Sequence, residues 1–280
     1  MKNIMRKAAV LVLAVAFLCS GALLVRQGLD YWRAQQSSLQ AQSAAGFGES
    51  SAQVLPEPVV PLDPEPPVQP ELPPLEEEAQ YLWQVDLESL RKVNEDVLGW
   101  ISIPGTQLDY PILQGEDNQY YLSHTWQGKR NAAGSVFLES QMAPDFSGFN
   151  TILYAHNMKN GSMFGSLRQY RTQSHWQEYP CIYIVNDKGI HRYDIFAAFE
   201  AEVRGYTYRL DVNTPEKKQA FLDYSAERSA IETDLVPTVE DSVITLSTCT
   251  GNGYDHRWVV QGALTGIFTQ WEDLVPEAGL

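Results

Sequence analysis

Apolar residues recur along this chain in three rhythms. Residues 8–25 form one uninterrupted run of 18 apolar or small residues behind Lys2, Arg6 and Lys7. Leu82, Val85, Leu87, Leu90, Val93 and Val97 then return at roughly helical spacing, which predicts a helix over about 79–97. Short β-prone runs follow at 99–103, 108–113, 135–139, 151–156, 181–186, 190–203, 243–248 and 258–264, separated by Gly, Pro, Asn and Asp. Strands this short and numerous predict a mainly β fold, a closed or nearly closed barrel of about eight strands. One helix interrupts the late strands: Thr214 supplies a cap and Pro215 a first helical residue, and Phe221, Leu222 and Tyr224 anchor a run to about residue 230.

The first rhythm has a different meaning. As a helix, 18 residues span roughly 27 Å, close to a hydrocarbon core, and preceding positive charge favours a cytoplasmic N-terminus with the remainder exported. Residues 1–7 thus read as a cytoplasmic tail and 8–25 as a transmembrane anchor. A cleaved signal peptide is the competing reading, with Ser20, Gly21 and Ala22 as a small-residue cleavage region. Residues 26–78 read as a tether, Ser/Gln/Ala/Gly-rich at first and Pro/Glu-rich later, with no Lys or Arg between Arg33 and Arg91. Such composition buries no core and predicts a flexible and then extended spacer before a domain at 79–280.

The formal net charge of -15 comes partly from that spacer and argues against nucleic acid as a partner. The three cysteines do not make a disulfide scaffold, because Cys19 lies in the apolar run and Cys181 has the surroundings of a strand core. No paired spacing suggests a metal site, and no glycine-rich loop suggests a phosphate.

The candidate chemistry sits at two strand ends. Val243, Ile244, Thr245 and Leu246 run into Ser247, Thr248 and Cys249, and Arg257 follows on the next β run. A thiol with a pKa near 8.5 is mostly protonated at neutral pH, so a reactive cysteine needs a nearby cation or base. Arg257 can be that cation and, staying protonated, can also donate hydrogen bonds to an oxyanion. A buried, inert cysteine is the plainer reading of this segment alone. A second strand, 151–156, ends in His156, a candidate general acid/base. His256 lies beside Arg257, whereas His124, His175 and His191 are scattered singly and are expected on the surface.

The stretches Tyr154-Ala-His-Asn-Met-Lys-Asn-Gly-Ser-Met-Phe164 and Thr245-Leu-Ser-Thr-Cys249-Thr with Arg257 resemble the two signatures of sortases, the membrane-anchored cysteine transpeptidases of Gram-positive bacteria. The closest likeness is to class B, and it extends to Leu98-Gly-Trp-Ile-Ser-Ile-Pro-Gly-Thr106, Leu108-Asp-Tyr-Pro-Ile-Leu-Gln-Gly115 and Asp117-Asn-Gln-Tyr-Tyr-Leu122. Two positions depart from the pattern: Ala155, where glycine often precedes the histidine, and Trp258 after the arginine.

The resemblance implies a substrate, a secreted protein with a C-terminal sorting signal of the Asn-Pro-x-Thr-Asn/Gly kind. It also implies an acceptor, an amine of a cell-wall precursor, and roles for Cys249 as nucleophile, His156 as acid and base, and Arg257 as oxyanion stabiliser. It suggests Asn118, Leu122, Tyr154 and Ser247 as groove residues. Tyr154 and Ser247 gain support from strand periodicity, since each lies two residues before a reactive one. The helix from Thr214 resembles one that flanks the substrate groove in class B, though simple packing explains it equally. Other exported cysteine peptidases or cell-wall hydrolases, and an inactive anchored peptide-binding module, are the alternatives.

Overall fold

The computed structural model describes Val25 and residues 28–30, 32–47, 77–249 and 255–269. The expected anchor over 8–25 lies, Val25 apart, outside the described residues, as do the cytoplasmic tail and the Pro/Glu-rich part of the spacer. Among the described residues no helix is long and apolar enough to cross a membrane.

Eight strands of the described residues close into one barrel: β1 (Val97–Ser102), β2 (Asp109–Leu113), β3 (Val136–Leu138), β4 (Asn150–Tyr154), β5 (Cys181–Asn186), β6 (Gly189–Glu202), β7 (Val243–Cys249) and β8 (His256–Phe268). Around the barrel they run β1-β2-β3-β4-β7-β8-β6-β5, and β5 pairs back to β1. Gly99 permits that closure. A Cβ there would lie 2.4 Å from the Val185 carbonyl oxygen, so any other side chain would push the two strands apart. Most pairs are antiparallel, but β2–β3 and β4–β7 are parallel.

Alternation sorts the side chains between the inside and outside of the wall. Ile101, Ile112, Leu138, Leu153, Ile184, Leu246 and Val260 are buried in one cluster that fills the barrel. The intervening residues face outward and need cover. The helix Pro215–Arg228 covers one flank, burying Phe221 and Leu222 against Phe199, Val243 and Val259. Thr214 caps it as expected, with Oγ1 accepting from the Lys217 N–H at 3.4 Å.

The other flank corrects the tether reading. Residues 28–30 and 32–44 are helical rather than a flexible spacer, and Ala41 and Ala45 are fully buried against the barrel. The small residues that made this stretch look featureless let a helix approach closely. Gln42 Nε2 donates to Asp109 Oδ2 at 3.0 Å, Trp126 Nε1 donates to the Ser37 carbonyl at 2.9 Å, and Phe47 meets Trp100 edge to face. The expected continuous helix over 79–97 is also corrected. A 3-10 segment, Glu77–Gln84, gives way to a short α-helix, Leu87–Arg91, because Asp86 takes a non-helical conformation and its carboxylate caps the Ser89 N–H at 2.9 Å.

Candidate active site

The two parallel partners β4 and β7 carry the site. Their register sets Tyr154 beside Ser247, and carrying that register on by two residues sets His156 beside Cys249. Three contacts continue the pairing past the end of β4. The Ala155 N–H donates to the Ser247 carbonyl (3.4 Å), Thr248 Oγ1 donates to the Ala155 carbonyl (2.8 Å), and Asn157 Nδ2 donates to the Cys249 carbonyl (2.6 Å). On its other edge β7 pairs with β8, where Cys249 faces Arg257. β7 thus sets Cys249 between Arg257, on the adjacent strand β8 at a strand spacing of about 5 Å, and His156, two residues past the end of β4.

The burial pattern fits reactive chemistry. Cys249 is exposed while the six residues before it in β7 are buried. Cys181 is buried in β5, its thiol donating to Asp194 Oδ1 at 3.1 Å, and among the described residues no disulfide joins it to the exposed thiol of Cys249. His156 is half-buried, and its Nε2 lies 2.7 Å from the Leu122 carbonyl. A carbonyl only accepts, so Nε2 carries the hydrogen and Nδ1 is left for proton exchange. Arg257 is half-buried, with Nη1 donating to the His256 carbonyl at 2.9 Å.

After His156 the chain turns sharply. The Phe164 N–H donates to the His156 carbonyl at 3.0 Å, and Asn157 bridges Met163. Gly165 closes the turn, because a Cβ there would sit 2.3 Å from the Met158 carbonyl oxygen.

All four expected groove residues gather near this edge, with unequal availability. Leu122 is 38% exposed and free to meet a ligand. Ser247 is buried, its hydroxyl 2.8 Å from the phenol of Tyr208. Tyr208 comes from a 3-10 turn, Tyr206–Tyr208, and stacks on Tyr154 with ring centroids 6.4 Å apart. Burial pushes the Tyr208 phenol up to about 12, against the pull of Ser247 and the Arg257 charge. Burial also raises Tyr154, assisted by the negative charge of Glu139. Asn118 is engaged at both ends: Nδ2 donates to Glu139 Oε1 at 2.6 Å, and Oδ1 accepts from the Ser140 N–H at 2.8 Å.

Three residues beside the site were not singled out in the sequence: Tyr208, Asn157 within the histidine signature and Glu139 at the end of the 135–139 run. Asn157 and Glu139 border strand ends, and Tyr208 lies 39 positions from its partner. His256 pairs with Glu202 across β6–β8. The surface expectation for His191 is corrected, since it is 6% exposed and bonded to Asn186 Oδ1 at 3.1 Å. Among the described residues no cluster of His, Cys, Asp and Glu is built to hold a metal.

An exposed thiol near a histidine and an arginine at the rim of a closed mixed barrel is the frame of a β-barrel cysteine enzyme. A sortase-domain family model matches residues 101–265, and the chain belongs to the sortase family. It is 35% identical to sortase B of Listeria monocytogenes over 181 residues, 64% of this chain and 74% of that protein. Its fold superposes on the Staphylococcus aureus sortase B–substrate complex with a TM-score of 0.60 at 33% identity, covering 64% of this chain and 83% of the other. It superposes on a crystal structure of sortase B complexed with triglycine with a TM-score of 0.61 at 33% identity, covering 67% and 87%.

Proposed function

We propose that Cys249, His156 and Arg257 catalyse transpeptidation of secreted proteins that carry a C-terminal sorting signal of the Asn-Pro-x-Thr-Asn/Gly type. The observation that supports this reading most is the shared register, with Tyr154 beside Ser247 and Cys249 opposite Arg257, since it brings Cys249, Arg257 and the segment leading to His156 to one rim.

In the first half-reaction the Cys249 thiolate attacks the threonine carbonyl carbon, and the carbonyl electrons move onto oxygen, where the Arg257 guanidinium meets the developing charge. Collapse breaks the C–N bond, and His156 gives its Nδ1 proton to the departing amine, leaving a thioester. In the second half an amine of a cell-wall precursor attacks the thioester, His156 takes its proton, and the Cys249 thiolate leaves. The relatives held with a substrate and with triglycine support a peptide donor and an amine acceptor of this kind. The first half-reaction needs a deprotonated nucleophile and a protonated acid at the same time.

The sequence supports a cytoplasmic N-terminus, a single span over 8–25 and a catalytic domain outside the membrane, through its basic start and its 18-residue apolar run. Asn118, Leu122, Tyr154 and Ser247 shape the groove, Leu122 by direct contact and the other three through the wall they build.

Intact-mass spectrometry of the protein with a pool of Asn-Pro-x-Thr-x peptides and a glycine-based amine tests the reading. A thioacyl adduct and an amine-exchanged peptide are expected, both absent from Cys249→Ala. A folded wild-type protein that forms neither would overturn it.

A further inference from the structure

Glu139 is a buried carboxylate, 6% exposed, and the reaction scheme gives it nothing to do. A buried carboxylate is costly unless its oxygens are hydrogen-bonded, so its partners show what it is kept for. Oε1 accepts from Asn118 Nδ2 at 2.6 Å, with longer contacts from Ser140 Oγ and the Gln141 N–H at 3.4 Å. Oε2 accepts from the Tyr154 hydroxyl at 3.0 Å. The two main partners belong to different parts of the groove. Tyr154 ends β4 two residues before His156, and Asn118 begins the turn that ends at Leu122.

That turn matters because the Leu122 carbonyl holds His156 Nε2 at 2.7 Å. Its backbone closes on itself, Leu122 N–H to Gln119 and Ser123 N–H to Tyr120, and its far side is held by the N–H groups of Asn131 and Ser135. On the groove side the polar tie is Asn118 to Glu139. The backbone of Glu139 is itself fixed, its N–H donating to Ile152 at 3.0 Å and its carbonyl accepting from Gln114 Nε2 at 3.1 Å. One carboxylate therefore joins the end of the strand that leads to His156 to the turn that orients it.

We infer that Glu139 is a positioning residue for this reaction: by accepting from Asn118 and Tyr154 together it sets the Leu122 carbonyl that orients His156 and fixes the width of the groove between the turn and β4. The inference rests on the proposed roles of His156 and the groove. It requires acceptor oxygens on both sides of residue 139. Glutamine presents one oxygen and one NH₂, so in Glu139→Gln either the NH₂ meets the Asn118 amide donor, or it faces Tyr154, whose hydroxyl must then turn from donating to accepting and leaves its own hydrogen without the carboxylate. Combining Glu139→Gln with Asn118→Asp restores the three short bonds. The introduced amide NH₂ donates to one oxygen of the introduced carboxylate, the Ser140 N–H donates to its other oxygen, and the amide oxygen at position 139 accepts from Tyr154.

The test compares the full chain, Glu139→Gln, and the paired exchange by steady-state kinetics and by amide hydrogen exchange at Leu122 and Ser123. Glu139→Gln is expected to raise KM and lower kcat, with kcat/KM falling roughly tenfold through misplacement of the acid/base. The two amides should exchange faster, and the paired exchange should restore both readouts. A merely structural loss lowers the active fraction and hence kcat, leaving KM in place. Wild-type KM and protection in a folded Glu139→Gln, or a paired exchange no better than the single variant, overturns the inference. If Glu139→Gln does not fold, Asn118→Ala takes its place with the same expectations and the same overturning result. Hydrogen exchange needs no substrate, so failure of the proposed substrate is distinguished from failure of the tie.

Discussion

Cys249 stands directly opposite Arg257 on the antiparallel β7–β8 ladder, one strand spacing from the guanidinium-bearing backbone. Their placement depends on backbone pairing, which a side-chain substitution at either position leaves intact. Arg257→Ala should therefore fold normally and still lose activity. Removing an oxyanion donor typically costs about 10²–10³ in kcat, and that range is expected in peptide turnover. Arg257→Lys should recover only a small part, since an ammonium lacks the planar fork. Turnover by Arg257→Ala within a few-fold of wild type would contradict the oxyanion role.

Asn157 should matter for geometry rather than chemistry. Its side chain clamps the Cys249 carbonyl at 2.6 Å, so Asn157→Ala leaves that carbonyl without this donor and loosens the rim. A loss of about 1 kcal/mol is expected in chemical denaturation. Alkylation of Cys249 by iodoacetamide should continue, because the thiol remains exposed, while peptide turnover falls.

The cap at Thr214 separates stability from catalysis. Thr214→Ala removes the Oγ1 acceptor for the Lys217 N–H and should cost about 1 kcal/mol. In a domain of this size that lowers Tm by roughly 2–4 °C. Activity at 25 °C should be unchanged.

The phenol of Tyr208 predicts a weakness in alkali. Its folded pKa is about 12 against an ordinary value of 10.0, so between those values the native state holds a proton that the unfolded chain releases. Stability from this source is complete below about pH 10 and declines as pH rises towards 12, by up to about 1.4 kcal/mol per pH unit for each such group. Urea unfolding at pH 8, 10 and 11 should show the decline, and Tyr208→Phe should make it shallower, other buried tyrosines supplying the rest. An identical slope in the variant would remove Tyr208 as a cause.

The strands were legible because each short β run ends in turn residues, and the observed bounds of β5 match the expected 181–186. The thiol and histidine were legible because both end such runs. Sequence could not reveal the packing of residues 32–47. Ala41 and Ala45 look neutral in a Ser/Gln/Ala stretch, and only the barrel surface beneath them makes a small side chain an asset. Nor could it reveal Asp86, whose capping bond divides the expected helix over 79–97. Glu139 and Tyr208 escaped for a further reason. Each acts on partners fixed by the barrel's closure, and no local pattern marks a residue for a neighbour that distant.

The parallel pairing of β4 with β7 also bears on when the enzyme becomes an enzyme. The bond from Asn157 to the Cys249 carbonyl joins positions 92 residues apart, and the chain between them includes β5, β6 and the helix that covers the wall. Contacts of such separation form late in folding, after the intervening loop entropy has been overcome. Until β7 slots between β4 and β8, the thiol has neither its histidine nor its arginine. Peptide turnover is thus expected to return on refolding only as the barrel closes.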